Sequence, residues 1–297
     1  MGKIIVLGGE GMLGHKMVQT LRQKFPDVAC TIRGSLDDGF YRRTGLFGKA
    51  NSIPSIDAMN LHALESMLTE HKPEFIVNCI GVIKQRDEAR NALVSVTLNS
   101  LLPHTLADVS ARWGGRVIHF STDCVFSGMK GHYTEDDPSD AEDLYGKSKY
   151  LGEVAAENAL TLRTSIIGRE LSHFKSLLEW FLAQEGKPAR GFRRVLYSGV
   201  TTNHISKVVG NIIAECPSLS GLYQVTGDTI SKHDLLYVLR DAFQLDVEIV
   251  ADDEQVSDRS MRGDKFRAAT GMVCPEWPEM AAELASDLTP YGDWRVK

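Results

Sequence analysis

No Cys-x-x-Cys pair occurs in this chain, and its five cysteines (Cys30, Cys79, Cys124, Cys216 and Cys274) are an odd number. Neither a disulfide framework nor a zinc site is expected, so any functional cysteine acts alone. Long apolar runs are missing too. Stretches such as Ile4 to Leu7 and Phe75 to Val77 fall far short of the roughly 20 residues that a membrane-spanning helix needs, and no charged, apolar and small-residue leader precedes them. A membrane is therefore not an expected partner, and a cytoplasmic location is. Lys and Arg are nowhere concentrated: 33 basic residues stand against 39 acidic ones, for a net charge of -6. That excludes a surface built to track phosphates, so nucleic acid is not an expected partner either. Repeats and low-complexity segments are also lacking. What remains, at 43% hydrophobic and 24% charged over 297 residues, fits a globular chain with a proper core, folded as one large domain or two interlocked ones.

Residues 3–7 form a continuous apolar run, followed by glycines and then by Leu13, Met17, Leu21 and Phe25 at helical spacing. This reads as strand, tight turn, helix. Val28 to Ile32 and Glu74 to Ile80 are further strand candidates, with a helix marked between them by Leu61, Leu64 and Leu68. A helical region from about Glu88 to Trp113 ends at Gly114-Gly115, and Arg116 to Ser121 supplies the next strand. The alternation predicts an α/β fold with a Rossmann-type, doubly wound parallel sheet. Later, Ile205, Val208, Val209, Ile212 and Ile213 mark an amphipathic helix. Ser231 and Asp234 form a capping box ahead of another helix, which follows a short strand at Leu222 to Val225. Residues 34–54, with four glycines, one proline and Arg42-Arg43, read as a long mobile or functional connection.

Gly8, Gly11 and Gly14 recur at three-residue intervals between the first strand and the first helix. A dinucleotide pyrophosphate needs backbone N–H groups at a helix N-terminus with no side chain in the way, which such a turn provides. The second strand ends in Thr31-Ile32-Arg33, without the acidic residue that would hold the ribose hydroxyls of NAD. A guanidinium at Arg33 suits the 2'-phosphate of NADP, the alternative being a solvated surface charge.

Tyr145 and Lys149 stand four residues apart, the spacing of one helix face. Upstream, the strand reaching Phe120 runs into Ser121-Thr122-Asp123-Cys124, which puts hydroxyls at the carboxyl end of a parallel strand, where open α/β sheets carry their sites. With Gly8-x-x-Gly11-x-x-Gly14, Ser121 to Phe126 and Tyr145-Gly-Lys-Ser-Lys149, the chain resembles the extended short-chain dehydrogenase/reductases. Within them it is most similar to the dTDP-4-dehydrorhamnose reductases. The similarity continues through Asn78 to Asn99, Leu162 to Ser165, Gly221 to Tyr223 and Asp264 to Phe266, nearly the whole chain in order.

The resemblance implies Tyr145 as acid or base, Lys149 as the residue that stabilises its phenolate and holds the nicotinamide ribose, and Thr122 as the hydroxyl that polarises the ketone. It leaves Ser121 as a buried strand-end hydroxyl. For the NADP(H) site it implies Met12 and Leu13 in the glycine turn, Asp57 and Ala58 by the adenine, and Cys79, Ile80 and Gly81 beside the ribose and nicotinamide. The implied reaction is NADPH-dependent reduction of the C4 ketone of a nucleotide-linked 4-keto-6-deoxysugar, with Val125 also at the substrate. Arg190, Arg193 and Arg194 are candidate diphosphate contacts, with solvated arginines as the equal alternative. A homodimer through a helix face is compatible with the resemblance.

Two alternatives stay open, while 4,6-dehydration is not expected. Most rhamnose-type reductases carry an aromatic residue where this chain has Cys124, and the Glu that dehydratases place there is absent. Thr122-x-Cys124 and Ser172-His173 resemble the Ser-x-Cys and His of GDP-fucose synthase, so a bifunctional epimerase-reductase using Cys124 and His173 is the first alternative. The regulatory subunit of methionine adenosyltransferase shares these motifs, which makes an NADP-binding subunit without turnover the second. The expected organisation is an NADP-binding domain over 1–165 and a smaller α/β substrate domain over 166–297, with the helix near 204–214 able to return to the first.

Overall fold

The computed structural model describes residues 2–82 and 91–294. The first half runs β1 (Ile4–Leu7), α1 (Met12–Lys24), β2 (Val28–Thr31), α2 (Gly39–Thr44), β3 (Ser52–Ile53), α3 (Leu61–His71) and β4 (Phe75–Asn78). It continues through α4 (Ala92–Ser95), a π-helical turn at Val96–Leu101, α5 (Leu102–Ala111), β5 (Arg116–Ser121), α6 (Leu144–Leu151) and β6 (Ala159–Arg163). The second half holds β7 (Ile166–Ile167), α7 (Leu177–Leu182), β8 (Ala189–Phe192), β9 (Val195–Tyr197), β10 (Val200–Thr201), α8 (Thr202–Glu215) and β11 (Gly221–Gln224). Then come β12 (Ile230–Ser231), α9 (Lys232–Phe243), β13 (Ile249–Asp252), β14 (Ser257–Asp258), α10 (Asp264–Thr270), α11 (Trp277–Ala285) and α12 (Tyr291–Trp294).

Seven strands make the main sheet, in the order β11-β6-β5-β4-β1-β2-β3, and every neighbouring pair is parallel. The chain winds outward from β1 to β3, then returns through β4 on the other side of β1. This is the doubly wound order, and its reversal opens a crevice at the carboxyl ends of β1 and β4. The apolar runs are continuous because both faces are covered. Ile4, Val6, Phe75 and Val77 enter one core, packed by α1 and α8, while Ile5, Leu7 and Ile76 enter the other, under α3 and α5.

Residues 34–54 are not the loose connection that their glycines and proline suggested. They fold into α2 and β3, held by Tyr41, whose buried hydroxyl accepts from the Gly34 N–H at 2.9 Å. The helix expected from Glu88 is continuous from 92 to 111 but widens into the π turn; residues 88–90 lie outside the described residues. Beyond residue 165 the chain rejoins the first half. Helix α8 buries Ile205, Val208, Val209, Ile212 and Ile213 in the core that it shares with α1, and β11 extends the main sheet beside β6. The remaining strands form small sheets β10-β7, β12-β9-β14 and β13-β8.

Candidate active site

The glycine turn follows β1 at the crevice. Gly8 has φ +77°, a left-handed conformation that a side chain would strain, and a Cβ there would lie 2.9 Å from Ile80 Cγ1. At Gly14 a Cβ would stand 2.0 Å from the Gly8 carbonyl oxygen, so α1 can pack this closely only without one. Helix α1 starts with no side-chain cap, which leaves its first N–H groups to a ligand. Leu13 is buried beneath the turn and Met12 half-buried beside it. Cys79 continues from β4 with its N–H on Leu7 O at 3.1 Å, and burial pushes its thiol far above the usual range. Arg33 is exposed at the end of β2. Sequence reasoning missed its neighbour: Glu10, inside the glycine turn, accepts from the Arg33 N–H at 3.2 Å and from the Tyr41 hydroxyl. Asp57 is exposed after β3, accepting from the Met59 N–H at 3.0 Å, and Ala58 is buried in the second core.

Tyr145 and Lys149 lie on one helix, which begins at Leu144 because Asp143 caps it through the Gly146 N–H at 2.8 Å. It stops at Gly152, where a Cβ would lie 1.8 Å from the carbonyl oxygen of Asn99 in the π turn. The Asn99 side chain accepts from the Val82 N–H at 2.9 Å and donates to Ser148 Oγ at 3.1 Å. The π turn thus locks α6 against the residues after β4, a role that apolar periodicity does not reveal. A Cβ on Gly81 would lie 3.3 Å from Asn99 Oδ1 and 3.8 Å from Lys149 Nζ, so Lys149 faces the crevice beside β4.

Thr122 and Cys124 sit on a short 3₁₀ turn, Asp123–Val125, where the Thr122 hydroxyl accepts from the Cys124 N–H at 3.1 Å. Tyr145 is placed against this turn. Burial and the nearby Cys124 thiol push its phenol up, while a hydrogen bond with Thr122 pulls the other way. The phenol is therefore a protonated donor at neutral pH. The Lys149 ammonium donates to the Phe120 carbonyl at 2.6 Å. Burial lowers that ammonium to about 8, opposed by the Glu153 carboxylate. Ser121 is engaged elsewhere, donating to Glu153 Oε1 at 2.7 Å, and Glu153 also holds Arg163 at 2.6 and 2.7 Å.

The other candidate substrate contacts have surroundings of their own. The Val125 side chain is wholly buried with Phe126, Tyr133 and Met261, facing that small core rather than the cleft. His173 is exposed, in a left-handed turn with Phe174. Arg193 is exposed with its guanidinium forked onto Asp253, its Nε at 2.9 Å. Arg190 is paired with Asp252.

The family model described as RmlD substrate binding domain matches residues 2–289. The chain belongs to this family. Among relatives, a probable dTDP-4,6-dihydroxy-2-methyloxan-3-one 4-ketoreductase of Streptomyces antibioticus is 29% identical over 164 residues, 54% of this chain and 48% of that protein. The RmlD-family chain thus spans about half the length of that relative. Methionine adenosyltransferase 2 subunit beta of Mus musculus is 26% identical over 271 residues, 82% of this chain and 72% of that one. A dTDP-4-dehydrorhamnose reductase of Bacillus anthracis, solved in complex with NADP, superimposes with a TM-score of 0.77 at 17% identity, covering 95% of this chain and 97% of that one. The extended Rossmann-type reductase fold expected from the motifs is therefore the one this RmlD-family chain has.

Proposed function

We propose that this protein uses NADPH to reduce the C4 ketone of a nucleotide-diphospho-4-keto-6-deoxysugar, a dTDP-4-dehydrorhamnose reductase-like activity serving deoxysugar or polysaccharide precursor synthesis. The observation that carries the reading is the meeting of Thr122, Tyr145 and Lys149 at the carboxyl edge of the sheet, beside the glycine turn. The cradle fits a dinucleotide: Gly11 has only the Gly8 carbonyl, at 3.3 Å, within reach of an added Cβ, and the α1 N–H groups above it have no side-chain cap. Arg33 stands where a 2'-phosphate would be read. NADPH, when bound, supplies the hydride. In this reading Thr122 orients the ketone oxygen, and the neutral Tyr145 phenol delivers a proton to it. Lys149 holds the nicotinamide ribose and offsets the charge left on the phenolate. Residues 1–165 then serve mainly the cofactor and 166–297 the sugar nucleotide, with α8 and β11 returning to the first unit. The same reading puts the enzyme in the cytoplasm and allows a homodimer; among the described residues no helix is long and apolar enough to cross a membrane.

The test is loss of the nicotinamide absorbance of NADPH with dTDP-, UDP- and GDP-linked 4-keto-6-deoxyhexoses. One of them is expected to turn over, and Tyr145→Phe to lose roughly 10²- to 10⁴-fold in rate while still binding NADPH. Full activity in Tyr145→Phe would overturn the assignment. NADPH binding without turnover of any sugar would favour the non-catalytic subunit reading suggested by the Mus musculus relative. Cys124, beside the phenol, keeps the epimerase-reductase reading testable: solvent deuterium at C3 or C5 of the product, lost in Cys124→Ser, would establish it.

A further inference from the structure

Lys232 opens α9, directly after β12, whose Ile230 pairs with Tyr197 of β9. Its ammonium lies 3.6 Å from the centre of the Tyr197 ring. That ring is fixed. Its hydroxyl donates to the Ser165 carbonyl at 3.1 Å, its face tilts against Trp277 at 5.5 Å, and Gly199 makes room for it, since a Cβ there would stand 2.0 Å from the phenol oxygen. The cation is thus held over an aromatic surface, and among the described residues no carboxylate comes within ion-pair distance of it. Arg259, just past β14, is its cationic neighbour and is likewise without an ion pair among those residues. The Arg259 Nε donates to the Phe126 carbonyl at 2.8 Å, leaving the terminal nitrogens of the guanidinium free of that bond. Lys232 and Arg259 directly follow Ser231 and Asp258, which pair with Leu196 of β9 from its two sides, and Arg259 reaches the end of the turn that carries Thr122 and Cys124 through the Phe126 carbonyl.

We propose that Lys232 and Arg259 together bind the diphosphate of the nucleotide sugar, holding it against the second-half wall of the cleft while the sugar reaches Thr122 and Tyr145. The proposal rests on reading the protein as a nucleotide-sugar enzyme. Its physical basis is charge. Two neighbouring half-buried cations, neither in an ion pair among the described residues, repel each other, and a diphosphate diester supplies two negative charges. Arginine grips two oxygens with a planar fork, and lysine adds a point charge. Arg190 and Arg193 lack this vacancy, being already paired with Asp252 and Asp253. Burial holds the Lys232 ammonium down to about 8, with Asp123 and Cys124 raising it and Arg259 lowering it. A bound dianion would restore the proton, so affinity should fall as pH rises through about 8.

The experiment is calorimetric titration of the NADPH-loaded protein with dTDP, UDP and GDP and with the matching nucleosides. One nucleoside diphosphate is expected to bind, and Lys232→Met and Arg259→Met each to weaken it roughly ten- to hundred-fold. Unchanged affinities for NADPH and the nucleoside would show that the variants are folded. Lys232→Arg should restore most of the affinity and remove the loss at alkaline pH. Wild-type affinity for the diphosphate in both Met variants would overturn the proposal, as would failure of the wild type to bind any of the three. The reductase reading falls on a different result, the absence of NADPH oxidation with every 4-keto sugar. Turnover with an unchanged KM in Lys232→Met would leave that reading standing and remove this one.

Discussion

In the main sheet, Ile5 and Leu7 face one apolar core and Ile4 and Val6 the other, each strand lying between layers of helix. The second half has no counterpart of that size: its sheets contain two or three strands. Its elements share the apolar core of α1 and α8 through residues such as Leu178, Leu235 and Trp277, and are in addition pinned to each other and to the first half by buried polar contacts, such as Arg169 with Glu179 and Lys16 with Asp287. The first arrangement tolerates drift, because apolar burial is non-directional. The second fixes side chains at angles and distances, which is what a site assembled from distant segments requires. The comparison can be broken most forcefully at the seam. Arg163, at the end of β6 and in register with Gln224 of β11, forks onto Glu153 at 2.6 and 2.7 Å and is almost fully buried. Arg163→Met would leave the Glu153 carboxylate buried without its partner, and about 3–5 kcal/mol of stability should be lost in chemical denaturation. The double variant with Glu153→Leu should recover much of it. A single variant as stable as the wild type would mean that polar pins do not hold the seam.

A second polar pin predicts a pH signature. His15 in α1, 1% exposed, reaches Gly11 O and the Tyr291 hydroxyl, each at 2.8 Å. A carbonyl can only accept, so Nδ1 carries the proton and Nε2 accepts from Tyr291, an arrangement that exists only for the neutral ring. Burial accordingly lowers His15 from 6.5 to about 4. Because the unfolded chain binds this proton at higher pH than the folded one, stability is lost as pH falls from about 6.5 and levels off below about 4. The full loss is on the order of 3 kcal/mol. His15→Gln should lack this portion of the acid destabilisation. Parallel pH profiles for the two proteins would remove His15 from the account.

The same contrast explains what could be read in advance. Continuous apolar runs and helical patterns located β1, α1, β4, β5 and α8 because burial in a layered sheet is written in residue type alone. Tyr145, Lys149 and Thr122 were legible because a motif fixes them against local elements. Residues 34–54 were misjudged, since their glycines and proline signal turns while Tyr41, reaching back to Glu10, and Asn51, bonded to Leu46 and Gly48, supply the order. Asn99, Glu153 and Lys232 were missed for a related reason. Each acts through a tertiary partner far away in the chain, and no spacing announces it. Val125 sits in the motif, yet its side chain turns inward, because the 3₁₀ turn that presents Thr122 points the residue three places on into the core.

The smallest expected effect lies in the first half, at a polar feature grafted onto the apolar frame. Arg33 is exposed at the end of β2, and its N–H is held by Glu10 from the glycine turn. If the guanidinium reads the 2'-phosphate, Arg33→Ala should lower the preference for NADPH over NADH roughly tenfold, the lower end for a charge-assisted contact because water competes at this site. Glu10 acts with the opposite sign. A carboxylate beside the adenine ribose repels a 2'-phosphate and can accept from a free 2'-hydroxyl, so Glu10→Gln should move the preference further toward NADPH. Binding of both dinucleotides to the two variants separates these contributions. A ratio unmoved by Arg33→Ala would assign cofactor choice to Glu10 and to the backbone that it holds, making the choice a property of the glycine turn rather than of the strand end.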